Sequence, residues 1–187
     1  PPRRGIRVMK VYAMGLSHRT APLETRERIA LTGEELPRAL DTLGTTFGDV
    51  VILSTCNRTE VYSSAPDGEA FRHGLMDFLR QKAPQEDGRL SDYVYFLEQE
   101  DAVRHLFRVA SGLDSMILGE AQVLGQVREA YSAAVSMGCG RGHISKLFHH
   151  ALRVGKRARS ETRIGENALS ISSAAVETAK RALGDIR

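Results

Sequence analysis

The hydrophobic and polar positions sort the chain into two stretches with different periods. Ile6 to Leu16 is rich in Val, Met and Tyr and predicts a strand, ended by Gly15 and the loop SHRTAP. Leu23 to Leu31 and Glu34 to Leu43 show helical spacing, with Thr32 placed to cap the second. Val50 to Ser54 and Glu60 to Ser63 are apolar or alternating runs on either side of the polar STCNRTE, which predicts a hairpin-like pair. Phe71 to Lys82 puts Phe71, Leu75, Phe78 and Leu79 on one helical face, and Tyr93 to Leu97 is a short strand. The order β-α-β-β-α-β predicts an α+β fold of the ferredoxin-like, split βαβ kind over residues 6–97, with an antiparallel sheet.

Beyond residue 98 the period becomes helical throughout. Asp101 is placed to cap a helix with the stripe Val103, Leu106, Phe107 and Ala110. A loop at GLDSMILG precedes a helix over Glu120 to Met137, with Leu124, Val127, Tyr131 and Ala134 inward. The segment GCGRGH breaks it, a basic helix follows from about Ile144 to Thr162, and Ala168 to Leu183 predicts another. Three parts follow: an α+β part over 1–97, a helical part over 98–163, and the start of a further helix over 164–187.

Composition narrows the class. The 187 residues are 42% hydrophobic and 26% charged, ordinary for a soluble globular protein, and only Cys56 and Cys139 are cysteines. No disulfide framework is indicated, no run of eighteen apolar residues occurs, and a reducing cytoplasmic setting without a membrane is expected. Arg141 to Arg163 holds seven Lys/Arg against the single acid Glu161, a local +6 that leaves −3 for the rest of a chain of net +3. A basic helix on a mildly acidic body suits either a polyanion partner or a solvated face.

The candidate chemistry starts at VVILSTCNRTEVYS. Cys56 sits in the turn between two runs, two residues from Arg58, whose cation would favour a thiolate. On its own a lone cysteine is more often an inert thiol. His105 projects about 200° from Val103 at 100° per residue, away from the stripe, with Asp101 one turn earlier as a possible orienting carboxylate. On spacing alone a surface histidine is the more ordinary reading. Gln122 and Gln126 stand at i and i+4, and Glu120 falls in the first turn of the predicted helix, where a carboxylate suits the dipole. They read as a solvated face or as the lining of a cleft. His149 and His150 point about 100° apart, and no metal set has credible spacing. No glycine-rich phosphate loop follows a strand; GCGRGH follows a helix.

Four stretches, GLSHRTAP (15–22), LSTCNRTEVY (53–62), HLFRVASGLDSMILGEAQVLGQVREAY (105–131) and RSETRIGENALSISSAAVE (159–177), together resemble the N-terminal part of glutamyl-tRNA reductases. The resemblance implies an NADPH-dependent oxidoreductase that converts glutamyl-tRNA(Glu) to glutamate-1-semialdehyde through a cysteine thioester, the first step of the five-carbon route to 5-aminolevulinate and porphyrins. It implies Cys56 as nucleophile and His105 as a residue important for activity, plausible in proton transfer. Thr55, Cys56, Asn57, Arg58, Ser115, Glu120, Ala121, Gln122 and Gln126 would bind substrate, with Arg58 on its carboxylate and Glu120 on its α-ammonium. Residues 164–187 would begin the family's connecting helix. The NADPH-binding and dimerisation domains would lie past Arg187, so homodimerisation, and channelling to glutamate-1-semialdehyde aminomutase, belong to the longer protein. Two other readings stay open: a tRNA-binding module without catalysis, and a thiol esterase that performs only the first half of the reaction.

Overall fold

The computed structural model of the protein describes residues 9–165 and 178–182. A four-stranded sheet carries the elements: β1 (Lys10–Ser17), β2 (Val50–Thr55), β3 (Arg58–Ala65) and β4 (Tyr95–Glu98) lie in the order β2-β3-β1-β4. Every pairing is antiparallel, so the sheet has the predicted split βαβ arrangement and the fold is α+β. Between the strands run α1 (Leu23–Ile29), α2 (Glu35–Phe47), α3 (Gly68–Lys82) and α4 (Asp87–Tyr93), and α5 (Gln99–Ala110), α6 (Gln122–Ser136) and α7 (Gly142–Glu161) follow β4.

The sheet is covered on both faces. Tyr12 stacks on Phe71 of α3, and β2 meets α2 on that same side. On the opposite face Tyr62 meets Phe148 of α7 edge-on, while α6 lies against β2 and α5 against β1. The hydrophobic core is therefore continuous from Leu40 and Phe71 through the sheet to Leu106, Val127 and Phe148. β3, sandwiched between β2 and β1, is buried at all eight positions, although its sequence RTEVYSSA is mostly polar. Gly15 of β1 runs so close to β3 that a Cβ would lie 2.2 Å from the Thr59 carbonyl oxygen, so only glycine fits there.

Several boundaries moved from the sequence reading. Thr32 does not cap α2 with its side chain; its carbonyl accepts from Glu35 N (3.0 Å), and Glu34 occupies the N-cap. Asp101 lies inside α5, whose N-cap is Glu98. Gln99, at φ 48°, turns β4 into α5 with no intervening residue. The helix α4 precedes β4, and Tyr93 ends that helix rather than opening the strand. Its only buried apolar residue is Leu90, too little for a periodicity to register. Of the helix expected over Ala168 to Leu183, residues 178–182 are helical, and the remainder lies outside the described residues. Among the described residues no helix is long and apolar enough to cross a membrane.

Candidate active site

The thiol stands on a two-residue hairpin loop. Thr55 pairs with Arg58, so Cys56 and Asn57 are the loop, and Cys56 is exposed. Neither has positive φ, so this is not the primed turn whose twist suits a two-residue hairpin. Other contacts hold it instead. Thr55 Oγ1 accepts from the Asn57 (3.1 Å) and Arg58 (3.2 Å) amides, which closes the turn from inside. His18 N donates to the Asn57 carbonyl (2.8 Å), and Arg26 Nη1 of α1 donates to the Cys56 carbonyl (2.5 Å). An apolar residue at the loop tip would have no core to enter, so the position leaves sulfur accessible.

Arg58 closes the cysteine loop and turns its side chain inward. Its side chain is 2% exposed and faces the sheet, where Nη1 donates to Glu60 Oε1 (2.7 Å) and Asp114 Oδ2 (3.2 Å) and Nη2 donates to the Asp114 carbonyl. In this arrangement the guanidinium is committed to Glu60 and Asp114. Alternation explains it: Arg58, Glu60 and Tyr62 share one face of a central strand, and that face is covered.

Glu60 is the centre of the network. Fully buried, it accepts from Arg58, from the hydroxyls of Tyr62 and Tyr95, and pairs with His105 Nε2 at 2.9 Å. Burial pushes its carboxyl up, but Arg58, His105 and Tyr62 outweigh this and hold it well below the usual carboxylate range. Burial, then Glu60's charge, raises both tyrosines, which stay neutral donors. His105 is therefore neither free on the surface nor oriented by Asp101. Its side chain is 15% exposed and it turns toward the sheet, with Glu60, 45 residues earlier in the chain, as orienting carboxylate. The buried stripe of α5 is Ala102, Leu106, Val109 and Ala110, which rotates the inward face toward His105.

His105 lines a pocket of about 210 Å³ with Ser17, Arg19, Thr20, Tyr95, Leu97 and Asp114. Ser17 pairs with Arg58 across β1 and β3, so this pocket begins beside the residue that closes the cysteine loop. Arg19 sits on its rim, 56% exposed, with Nε 3.1 Å from Asp114 Oδ1.

The loop 111–121 supplies the rest. It is pinched where Gly119 N donates to the Gly112 carbonyl (2.9 Å), both glycines having positive φ. Within it Asp114 is buried against Arg58, and Ser115 is half-buried beside it. Glu120 is half-buried in the loop, not in the first turn of α6, which has no acidic residue there. Ala121 is the N-cap and Gln122 the first helical residue, both exposed. Gln126 lines a second pocket of about 240 Å³ with Leu36, Ile52, Leu53, Ser54, Glu129, Ala130 and Ala133, along the free edge of β2. It shares no lining residue with the His105 pocket.

Sequence reading missed Glu60, Tyr95, Asp114, Arg19 and Arg26. The available signal was an acid inside a β-rich run and another inside a glycine-bounded loop. His18, given no role before, has a buried Nδ1 without a hydrogen-bond partner; burial, then Arg58, lowers its pKa. Cys139 is buried with Sγ 3.5 Å from the Leu40 carbonyl, and burial pushes its thiol up. Among the described residues no group of three or more His, Cys, Asp and Glu is arranged to hold a metal ion. On α7, Lys146, His149, His150, Arg153, Lys156 and Arg157 form an exposed stripe opposite buried Ile144, Phe148, Ala151 and Gly155.

Comparison with known proteins agrees with this geometry. The family profile described as "Glutamyl-tRNAGlu reductase, N-terminal domain" matches residues 14–162. The glutamyl-tRNA reductase of Stenotrophomonas maltophilia is 47% identical over 176 residues, covering 93% of this chain and 39% of that protein. That of Xanthomonas axonopodis pv. citri is 45% identical over 174 residues, 92% of this chain and 39% of the relative. The solved structure of glutamyl-tRNA reductase from Methanopyrus kandleri superposes with a TM-score of 0.69 at 38% identity, covering 94% of this chain and 41% of that one. The chain thus spans about two fifths of the length of these relatives. With the profile covering most of its length and the sheet, hairpin thiol and helical layer in place, this chain belongs to the glutamyl-tRNA reductase family.

Proposed function

We propose that this chain carries the thiol half of a glutamyl-tRNA reductase. Cys56 attacks the ester carbonyl that joins glutamate to the 3′-terminal ribose of glutamyl-tRNA(Glu). A carbon–sulfur bond forms, the carbon–oxygen bond to ribose breaks, and the thiol proton passes to the departing ribose oxygen. The observation that carries the reading is the exposed Cys56 on a loop pinned by Thr55, His18 and Arg26, near a pocket lined by His105, which buried Glu60 orients from behind. The ionised Glu60 fixes the imidazole's orientation, which suits His105 to assist that transfer.

The glutamyl group is placed by the residues around this pocket. Thr55 and Asn57 shape the loop, and Ser115, Glu120, Ala121 and Gln122 supply polar contacts from the loop 111–121, with Gln126 on the neighbouring edge. Arg58 is the guanidinium for the substrate carboxylate, with Arg19, exposed on the pocket rim, as a second cation beside it. Arg58 also holds Glu60 and Asp114. The exposed stripe of α7 takes tRNA phosphates, a contact that adds affinity without sequence preference.

Reduction to glutamate-1-semialdehyde, on the route to 5-aminolevulinate, is the activity of the longer protein. The hydride donor there is NADPH, and the longer protein carries the homodimer interface and the hand-over to the aminomutase. The residues present do not fit a dinucleotide: the sheet is wholly antiparallel, with no parallel βαβ crossing and no glycine-rich strand-to-helix turn among the described residues. We place that step outside 9–165 and assign residues 164–187 to the beginning of the connecting helix. Without hydride, the exposed thioester of this chain is open to water, so esterase activity is its expected turnover. The test is acid-quenched incubation with glutamyl-tRNA labelled in glutamate. Label covalently on protein, and absent in Cys56→Ser, supports the reading; tRNA bound with no label on protein refutes it.

A further inference from the structure

Arg159 differs from the other cations of α7. It is half-buried, its Nη2 donates to the Gly119 carbonyl (3.1 Å) and to the Glu120 carbonyl, and its Nε is buried without a partner. A guanidinium already committed to two carbonyls inside the protein is not offered to phosphate. The residues it holds are the exit of the loop 111–121. Gly119 sits at φ +78°, and a Cβ there would lie 1.8 Å from the Ile164 carbonyl oxygen. The chain just after α7 therefore packs directly against the loop that Arg159 grips from the helix.

We infer that Arg159 is a positioning residue for the glutamyl-binding loop: by holding the carbonyls of Gly119 and Glu120 it sets where the Glu120 side chain stands. The inference rests on the reading of the loop as part of the glutamate pocket. Two successive peptide groups fixed by one cation leave the backbone at Glu120 little rotational freedom. Without the cation, both carbonyls lose this donor and the exit of the loop is left to the glycine pinch and the Glu120 N–Ile117 carbonyl hydrogen bond (3.2 Å), with Asp114 still held by Arg58 further back. Because Ile164 leads out of α7, the same latch ties that segment to the substrate loop.

A probe without phosphate separates this role from RNA contact. The 187-residue chain is incubated with the 4-nitrophenyl α-ester of glutamate, and the Cys56 adduct is followed by intact mass after acid quench. Iodoacetamide alkylation of Cys56 and a melting profile are recorded in parallel. Arg159→Ala is expected to raise the half-saturating ester concentration about tenfold, with the limiting rate within about twofold and alkylation unchanged. Arg159→Lys, which keeps a donor near both carbonyls on a shorter stem, should raise it about threefold. Wild-type saturation in Arg159→Ala overturns the inference, as does a loss confined to the limiting rate. If the alanine variant does not fold, the lysine variant decides: wild-type saturation with an intact melt overturns it. A wild-type chain that forms no adduct refutes the thiol reading itself and takes this inference with it.

Discussion

Replacing Glu60 by Gln isolates the charge that the buried network is built around. The amide is the same size, so packing with Tyr62, Tyr95 and His105 is preserved and no cavity forms. One oxygen can still accept from Arg58 and His105, and the Tyr62 hydroxyl can rotate to accept from the new amide. What disappears is the negative charge 2.7 Å from a guanidinium that is 2% exposed. Removing one partner of a buried pair costs about 3–5 kcal/mol, because the remaining charge is left desolvated. Asp114 keeps a second contact with Arg58 at 3.2 Å, which places the expected loss at the lower end, about 3 kcal/mol. For a domain of this size that is a fall of about 6–12 °C in Tm. Urea unfolding of Glu60→Gln, Arg58→Met and the double variant measures it. The double variant should lose less than the sum of the singles, since it removes both charges of the central pair while Asp114 keeps Arg19. A Glu60→Gln chain within about 0.5 kcal/mol of wild type, or strictly additive losses, would refute the claim that this ion pair organises the site.

Three further outcomes are expected. Thr55→Val removes the acceptor for two loop amides and should cost about 1–2 kcal/mol in urea unfolding while speeding hydrogen exchange at Asn57 and Arg58. The depressed His18 and Glu60 give stability two acid limbs. Burial and the guanidinium groups of Arg58, Arg19 and Arg26 favour neutral His18, against Asp114, so stability declines as pH falls below about 6.5; Glu60 adds a steeper decline below about 4.5. His18→Asn should erase the first limb in chemical unfolding at stepped pH and leave the second. Arg153→Glu, on the exposed stripe of α7, should weaken tRNA binding and flatten its salt dependence by about two phosphate contacts, with iodoacetamide labelling of Cys56 unchanged.

The sequence by itself determined the strand order and all the helices up to α7 except α4, the split βαβ topology, the hairpin with Cys56 at its tip and the basic face of α7. Each of these rests on local periodicity, turn composition or charge spacing, which a linear chain displays directly. The tertiary structure decided which polar residues act as an interior. Arg58 and Glu60 have the same spacing whether β3 faces water or a second layer of helices; only the packing of α5 and α7 on that face buries them. His105 became a partner of Glu60 because a sheet strand and a helix meet across 45 residues of sequence, a pairing that no periodicity within either element encodes. Arg159 looked like one more cation on a basic helix until the return of the loop 111–121 placed two carbonyls against it. Charge is written in the sequence, but its solvation and its partners are set by burial, and burial is a property of the assembled layers.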